Sequence, residues 1–293
     1  MRIGIDLGGT KTEGALVDQG GSVISRHRLA TPRAEGYRAI LNKIVSLVDQ
    51  LESESGETCS VGIAAPGAID AQGRVKNSNT QCLIGAAFQS DLEACLERPI
   101  RVENDANCFA LAEALFGAGR DMPSVFGVIM GTGVGGGIVI QQRLHTGPQH
   151  IAGEWGHNAL DPDGPSCYCG QQGCIETYLS GPGFFADYRR LGGATAASPE
   201  EVISKAREND PIAQEALDNL LERFGKAVAG VINILDPHVV VLGGGLSNIE
   251  ELYDEGPRRI AKYVFNPTLE TPIRRNLRGD SAGVLGAAGL WSL

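Results

Sequence analysis

Between Gly153 and Glu176 the chain reads GEWGHNALDPDGPSCYCGQQGCIE. Three cysteines, Cys167, Cys169 and Cys174, fall within eight residues, and His157 stands ten positions before the first. Thiolate and imidazole are donors that Zn²⁺ prefers, and three Cys with one His complete a tetrahedral structural site with no open position. Gly164, Gly170 and Gly173 let a short loop turn its sulfurs inward around one ion. The other reading is a disulfide with a spare thiol, which a reducing compartment disfavours. Glu154 and Glu176 flank the cluster, and a closed four-ligand site needs neither carboxylate. Together they imply a metal-shaped loop that presents polar side chains to a ligand.

A chain of 293 residues exceeds one comfortable core and implies two domains. Its net charge is −10 and no run of Lys or Arg occurs, so no nucleic-acid partner is expected. No apolar run approaches the roughly twenty residues of a membrane span, so no membrane partner is expected either. The opening MRIGIDLGG is strand-like, with neither a basic n-region nor an apolar h-region, and points to a cytoplasmic protein. Cys59, Cys82, Cys95 and Cys108 are scattered and read as small buried apolar residues.

Ile3, Ile5 and Leu7 alternate with Arg2, Gly4 and Asp6, a strand carrying Asp6 towards its C-terminal end. Gly8-Gly9-Thr10-Lys11-Thr12 makes a tight turn, Gly14 to Val17 resumes as strand, and Ser22 to Ala30 completes a meander. Amides in such a turn can hold phosphate oxygens, with Thr10 and Lys11 as added donors. A plain hairpin needing glycine for positive φ is the alternative. Tyr37 to Leu51 carries an apolar stripe at three- and four-residue spacing, a helix that stops by Gly56. Val61 to Ala65 is a buried strand, and Ser90 with Glu93 suggests a capping box for a helix through Leu96.

Ile100 to Glu103 is a strand and Ala106 to Phe116 a helix; Asn104-Asp105 lies between them. Asp105 reads either as that helix's N-cap or as a strand-end carboxylate aimed at a ligand crevice and kept ionised by the helix N-terminus. Ser124 to Met130 leads into Gly131-Thr132-Gly133-Val134-Gly135-Gly136-Gly137, which matches G-x-G-x-x-G. Strand-like Ile138-Val139-Ile140 follows where a dinucleotide fold needs a helix, so the nicotinamide reading fails. Strand, glycine-threonine turn and strand thus occur twice, at 3–17 and 125–140. Ser180 to Leu191 reads as a helix and Gly192 to Ser198 as a loop; Asp210-Pro211 opens the longest helix, which Asp236-Pro237 ends. Val239 to Leu242 is a buried strand before Gly243-Gly244-Gly245, which let something flat approach the backbone. Arg278 to Leu290, rich in Gly and Ala, reads as a closely packed helix, and Phe265 to Arg278 carries no clear pattern.

With DLGGTKT, END, GTGVGGG, GEWGH, CYCGQQGCIE and VVLGGGLS in that order, the chain resembles the ROK family of sugar kinases and repressors over essentially its whole length. MRIGIDLGGTKTE, VKNSN and GEWGHN are most similar to bacterial fructokinases, with N-acetylglucosamine kinases a close second. The resemblance implies an α/β, actin-like (RNase-H-like) two-domain fold with a cleft between domains. The small domain is expected at 1–117 plus 281–293, and the large domain, with the zinc loop, at 118–280. It implies ATP bound by the turns of Gly8, Gly9, Thr10 and Lys11 and of Gly131, Thr132 and Gly133, with Gly243, Gly244 and Gly245 beside the adenosine. Asn79, Asn104, Asp105, Glu154, His157 and Glu176 would contact the sugar, and His157, Cys167, Cys169 and Cys174 would hold structural Zn²⁺.

The implied reaction is transfer of the ATP γ-phosphoryl group to O6 of a hexose, D-fructose first, with N-acetylglucosamine, glucose or mannose as alternatives. Asp105 would accept the hydroxyl proton, and Asp6 would help place catalytic Mg²⁺ through water. A homodimer is expected by family analogy. A sugar-responsive transcription factor is the rival; the absence of a DNA-binding segment before Met1 and the acidic charge speak against it.

Overall fold

β1 (Arg2–Leu7), β2 (Lys11–Val17) and β3 (Val23–Ala30) form the expected meander in a computed structural model that describes residues 1–70, 72–78 and 80–291. α1 (Tyr37–Ser55) buries Ile40, Leu41, Ile44, Leu47, Val48 and Leu51, the stripe read from the sequence, and stops where Gly56 turns left-handed at φ 70°. The chain returns through β4 (Ser60–Ala65) and a small ribbon of β5 (Ala68–Ile69) and β6 (Val75–Lys76). α2 (Phe88–Leu96) then leads to β7 (Ile100–Asn104) and α3 (Asp105–Phe116). The sheet order is β3-β2-β1-β4-β7. β1, β4 and β7 run parallel, with Ile3, Val61 and Ile100 level with one another.

The capping box at Ser90 does not form. α2 begins three residues earlier, after Ala87 rather than Ser90, with no side-chain cap, because Phe88 and Leu92 are both drawn into the core. Glu93 instead accepts the N–H of Ile100 and a proton of the Gln89 amide, tying the helix to the next strand.

β8 (Ser124–Met130), β9 (Val134–Ile140) and β10 (Arg143–His145) make the second meander. After the cysteine loop come α4 (Glu176–Leu179), α5 (Gly181–Arg190), α6 (Pro199–Arg207) and α7 (Pro211–Leu235). Asp210 caps α7 by accepting the N–H of Ala213, as its position before Pro211 suggests. β11 (Val239–Gly243) is buried along its whole length and is followed by α8 (Glu251–Asp254) and α9 (Gly256–Ala261). Part of the unread 265–278 stretch forms β12 (Ile273–Arg275), parallel to β11. The sheet order is β10-β9-β8-β11-β12.

α10 (Ala282–Gly289) closes the chain against β1 and β4. A Cβ on Gly4 would lie 1.8 Å from the Val284 carbonyl oxygen, and one on Gly62 would lie 1.9 Å from that of Ala287. The helix approaches this closely only because two neighbouring strands carry glycine at the contact. The chain divides into two compact units: Met1–Gly127 with Gly137–Gly153 and Leu277–Leu293, and Val128–Gly136 with Glu154–Asn276. Among the described residues no helix is long and apolar enough to cross a membrane.

Inside the first unit a fully buried carboxylate fixes the returning chain. Glu113, on α3, accepts the N–H groups of Ala118, Leu277 and Arg278 at 2.7, 3.1 and 2.8 Å. Glu113→Ala removes the buried acceptor shared by three backbone donors and is expected to cost about 3 kcal/mol of stability, with Glu113→Gln about half as costly. Urea denaturation of both variants checks this; a loss below about 0.5 kcal/mol for Glu113→Ala contradicts it.

Candidate functional site

In the first unit the strand-to-helix junction assigns separate tasks to Asn104 and Asp105. Asn104 is the N-cap of α3: its Oδ1 accepts the N–H groups of Ala106 and Asn107 at 2.9 and 3.2 Å. Its Nδ2 donates to the carbonyl of Gly67 at 3.1 Å, so the amide is locked on both sides. Glu103 braces the same corner, accepting the N–H of Asn104 at 2.7 Å and the amide of Asn107 at 3.0 Å. Asp105 is therefore the first helical residue rather than the cap, and its carboxylate is exposed, with Oδ1 near the N–H of Ala106 at 2.8 Å. The helix N-terminus favours the ionised form of a carboxylate in that place.

Asp6, near the end of β1, is an electrostatic neighbour of Asp105. Burial pushes its carboxyl up to about 6, the negative charge of Asp105 adds to this, and Glu13 contributes further; Arg28 opposes them. A Cβ on Gly283 would fall 2.2 Å from Asp6 Oδ2, so the carboxyl rests on the first turn of α10. The adjoining turn is held by Gly8 N–H to the Lys11 carbonyl at 2.8 Å, Thr31 N–H to Thr10 at 3.0 Å and Thr31 Oγ1 to Gly8 at 2.7 Å. Its carbonyls are thus engaged inside the hairpin, while Thr10 and Lys11 are exposed. Neither Gly8 nor Gly9 has positive φ; a Cβ on Gly8 would instead lie 2.8 Å from the Lys11 carbonyl oxygen, so the tight hairpin itself needs glycine at Gly8.

In the second unit Gly131 to Gly133 form a strand–turn–strand corner with no helix after it, as expected. Glu176 Oε2 accepts the N–H of Val134 at 2.9 Å, and a Cβ on Gly133 would come within 2.6 Å of that oxygen. Glu176 thus buttresses the glycine turn, a task its sequence position did not suggest. Gly244, at φ 79°, lies against the end of β8, where a Cβ would meet the Met130 carbonyl oxygen at 2.4 Å. The structure therefore places Gly244 beside the end of the strand that leads into Gly131 to Gly133.

The GEWGH segment crosses β9 closely: Trp155 Nε1 donates to the Gly135 carbonyl at 2.9 Å, and a Cβ on Gly156 would lie 2.3 Å from the Val134 oxygen. Glu154 precedes the short 3₁₀ turn that ends at His157. The donor atoms of His157, Cys167, Cys169 and Cys174 all lie within 4.8 Å of one another. Cys167 Sγ is 3.6 Å from His157 Nδ1, and Cys169 Sγ is 3.6 Å from Cys174 Sγ. A disulfide holds its sulfurs at about 2.05 Å. The edge of a tetrahedron built on Zn–S and Zn–N bonds is about 3.6 to 3.8 Å. The four residues fit zinc. Burial, then the neighbouring thiols, push Cys174 up to about 12; thiols crowded in this way ionise together only around a cation.

Asn104, Asp105 and Asp6 belong to the first unit, and Glu154, His157 and Glu176 to the second; Asn79 lies outside the described residues. Sequence reasoning missed Glu103 and Tyr168. Glu103 adjoins the Asn104-Asp105 pair, and that adjacency was its one signal. Tyr168 stands between two cysteines and carried none.

The ROK family model matches residues 2–293. The chain is 38% identical over 299 residues to the N-acetyl-D-glucosamine kinase of Vibrio atlanticus (strain LGP32), covering 98% of each. It is 36% identical to the N-acetylgalactosamine kinase AgaK of Shewanella sp. (strain ANA-3), covering 98% of this chain and 96% of that one. Among solved structures, the ROK hexokinase from Thermus thermophilus superposes with a TM-score of 0.90 at 30% identity, over 99% of this chain and 97% of that one. A ROK family glucokinase from Streptomyces griseus in complex with glucose and AMPPNP gives 0.78 at 29% identity, over 99% and 98%. The expected actin-like two-domain α/β fold is the fold of this chain. The lean towards fructokinase finds no support in these relatives.

An Asp carboxyl held near 6 in the fold and near 3.9 in the unfolded chain makes unfolding release a proton. The contribution of Asp6 to stability therefore falls as pH rises from about 4 to 6, and its penalty stays constant above that. Asp6→Asn is expected to be more stable than wild type by about 1 to 3 kcal/mol at pH 7.5, with the gain fading near pH 4. Urea titrations at the two pH values check it; an equal difference at both contradicts the assignment.

Proposed function

The chain belongs to the ROK family and is a sugar kinase, and from that premise we propose that it transfers the γ-phosphoryl group of ATP to O6 of N-acetylglucosamine. The N-acetylhexosamine kinases among its relatives support this acceptor over fructose. The observation that carries the mechanism is the junction after β7. Asn104 supplies the cap of α3, and Asp105 presents an exposed carboxylate at the helix N-terminus.

In the proposed step the sugar O6 bonds to the γ-phosphorus as the bond from that phosphorus to the ADP oxygen breaks. The O6 proton passes to Asp105. Aspartate is a weak base for an alcohol, so holding O6 in line contributes most of the rate. Asn104, Glu154, His157, Glu176 and Asn79 are the proposed sugar contacts. The turns at Gly8 to Lys11 and Gly131 to Gly133, with Gly243 to Gly245, are the proposed nucleotide contacts, their amides directed at phosphate oxygens.

Asp6 would hold Mg²⁺ through water. It fits because its carboxyl is raised by burial and by Asp105, a repulsion that a divalent cation relieves. Bound Mg²⁺ supplies charge neutralisation on the phosphates. His157, Cys167, Cys169 and Cys174 would hold Zn²⁺ as a structural ion that fixes the loop carrying Glu154 and Glu176. The small domain is proposed at 1–117 plus 281–293, with 118–280 as the large one.

An ATP-coupled assay against N-acetylglucosamine, N-acetylgalactosamine, glucose, mannose and fructose tests the acceptor. We expect kcat/KM for N-acetylglucosamine to exceed that for fructose by at least about a hundredfold, since a site that hydrogen-bonds a group the rival lacks can discriminate by about ten-thousandfold. Dominance by fructose, or no ATP consumption with any of the five, contradicts the reading.

A further inference from the structure

In the cysteine loop the two ring nitrogens of His157 face different partners. Nδ1 is turned to Cys167 Sγ at 3.6 Å and belongs to the four-atom donor cluster. Nε2 faces the phenol oxygen of Tyr168 at 3.1 Å. The rings meet edge to face, with centroids 5.2 Å apart and planes at 89°. An imidazole that gives its Nδ1 lone pair to a metal is neutral and keeps its proton on Nε2. With zinc on Nδ1, Nε2–H would donate to the Tyr168 oxygen 3.1 Å away. This is the ring nitrogen left for a sugar hydroxyl when His157 serves both metal and sugar, and one N–H cannot serve two acceptors well.

Tyr168 is placed to give that donor up. Its main chain sits between Cys167 and Cys169 and is fixed by whatever fixes those thiols. Its side chain is 74% exposed, so little packing is lost when the phenol rotates away. The hydroxyl lies at the spot where an acceptor to Nε2–H must lie, whether it comes from the protein or from a ligand.

We propose that Tyr168 is a displaceable competitor for the sugar: its hydroxyl occupies the His157 Nε2–H in the sugar-free protein, and a sugar hydroxyl takes its place. The proposal rests on the reading of His157 as a sugar contact. It makes Tyr168 a specificity-determining residue. A sugar whose hydroxyl reaches Nε2 regains the bond that it breaks, whereas one lacking a hydroxyl there leaves Tyr168 in position and forfeits the contact.

Isothermal titration of N-acetylglucosamine into zinc-loaded wild type and Tyr168→Phe tests this, with zinc content measured on both. Phenylalanine keeps the ring and removes only the acceptor. The expected result is unchanged zinc and a Kd lowered about twofold to tenfold, the worth of one protein hydrogen bond no longer competing. Unchanged affinity overturns the proposal. Weaker binding at full zinc content also overturns it and makes Tyr168 a direct sugar contact. Zinc loss in the variant overturns it too, because the phenol then serves to orient the metal ligand. If wild type binds no sugar at all, the underlying sugar-site reading fails along with the proposal; sugar binding that ignores Tyr168 sinks the proposal alone.

Discussion

Two carboxylates that repel each other set the terms for the first unit. Parallel pairing of β1, β4 and β7 carries Asp6 and Asp105 to the same end of one sheet, close enough for each to feel the other's charge. Burial first, and then that repulsion, leave Asp6 with a carboxyl raised to about 6. Asp6 rests on the start of α10, which can come so close because Gly4 and Gly62 carry no side chain, and Asp105 opens α3. A buried carboxyl raised in this way is what the proposed cation site would use.

The second unit meets a different constraint. Its glycine turn at Gly131 to Gly133 carries no side chains beyond Thr132 to fix it, so the neighbours do so. Glu176 accepts the N–H of Val134, and the Gly181 N–H donates to the Gly131 carbonyl at 2.8 Å. Glu176 follows Cys174 by two residues and begins α4, so the thiol cluster and the glycine turn share one rigid connection. A metal holding His157, Cys167, Cys169 and Cys174 would therefore stiffen the proposed nucleotide turn as well as the proposed sugar loop. That gives a physical reason for a structural ion in a protein whose proposed chemistry makes no use of its Lewis acidity.

Much of this was legible in the residues. The apolar stripes of α1 and α7, the caps at Gly56 and Asp210, and the doubled strand–glycine–strand unit are local signals, and the structure keeps them. The cysteine spacing anticipated the cluster because a short loop has few other ways to place three thiols. What was not legible depends on tertiary context. Nothing local says that Asn104, rather than Asp105, caps α3; the choice follows from the Gly67 carbonyl, brought alongside through β4. The Ser90 box lost to core burial of Phe88, an ordinary override of a weak local preference. β12 is a three-residue edge strand, too short to show alternation. α6 was passed over although Ser198-Pro199 carries a cap and a Pro at N1, with Ser198 accepting the N–H of Glu201.

The central claim is that Asp105 takes the proton from the acceptor hydroxyl while the corner that holds it is built by others. Asp105→Asn tests it most directly, with kcat and the sugar Kd measured on the same preparation. Asn104, Glu103 and Gly67 keep the corner in place, so the variant should bind N-acetylglucosamine within about threefold of wild type. Its kcat should fall by about a hundredfold to ten-thousandfold. A kcat close to that of wild type would remove Asp105 from the chemistry and contradict the account.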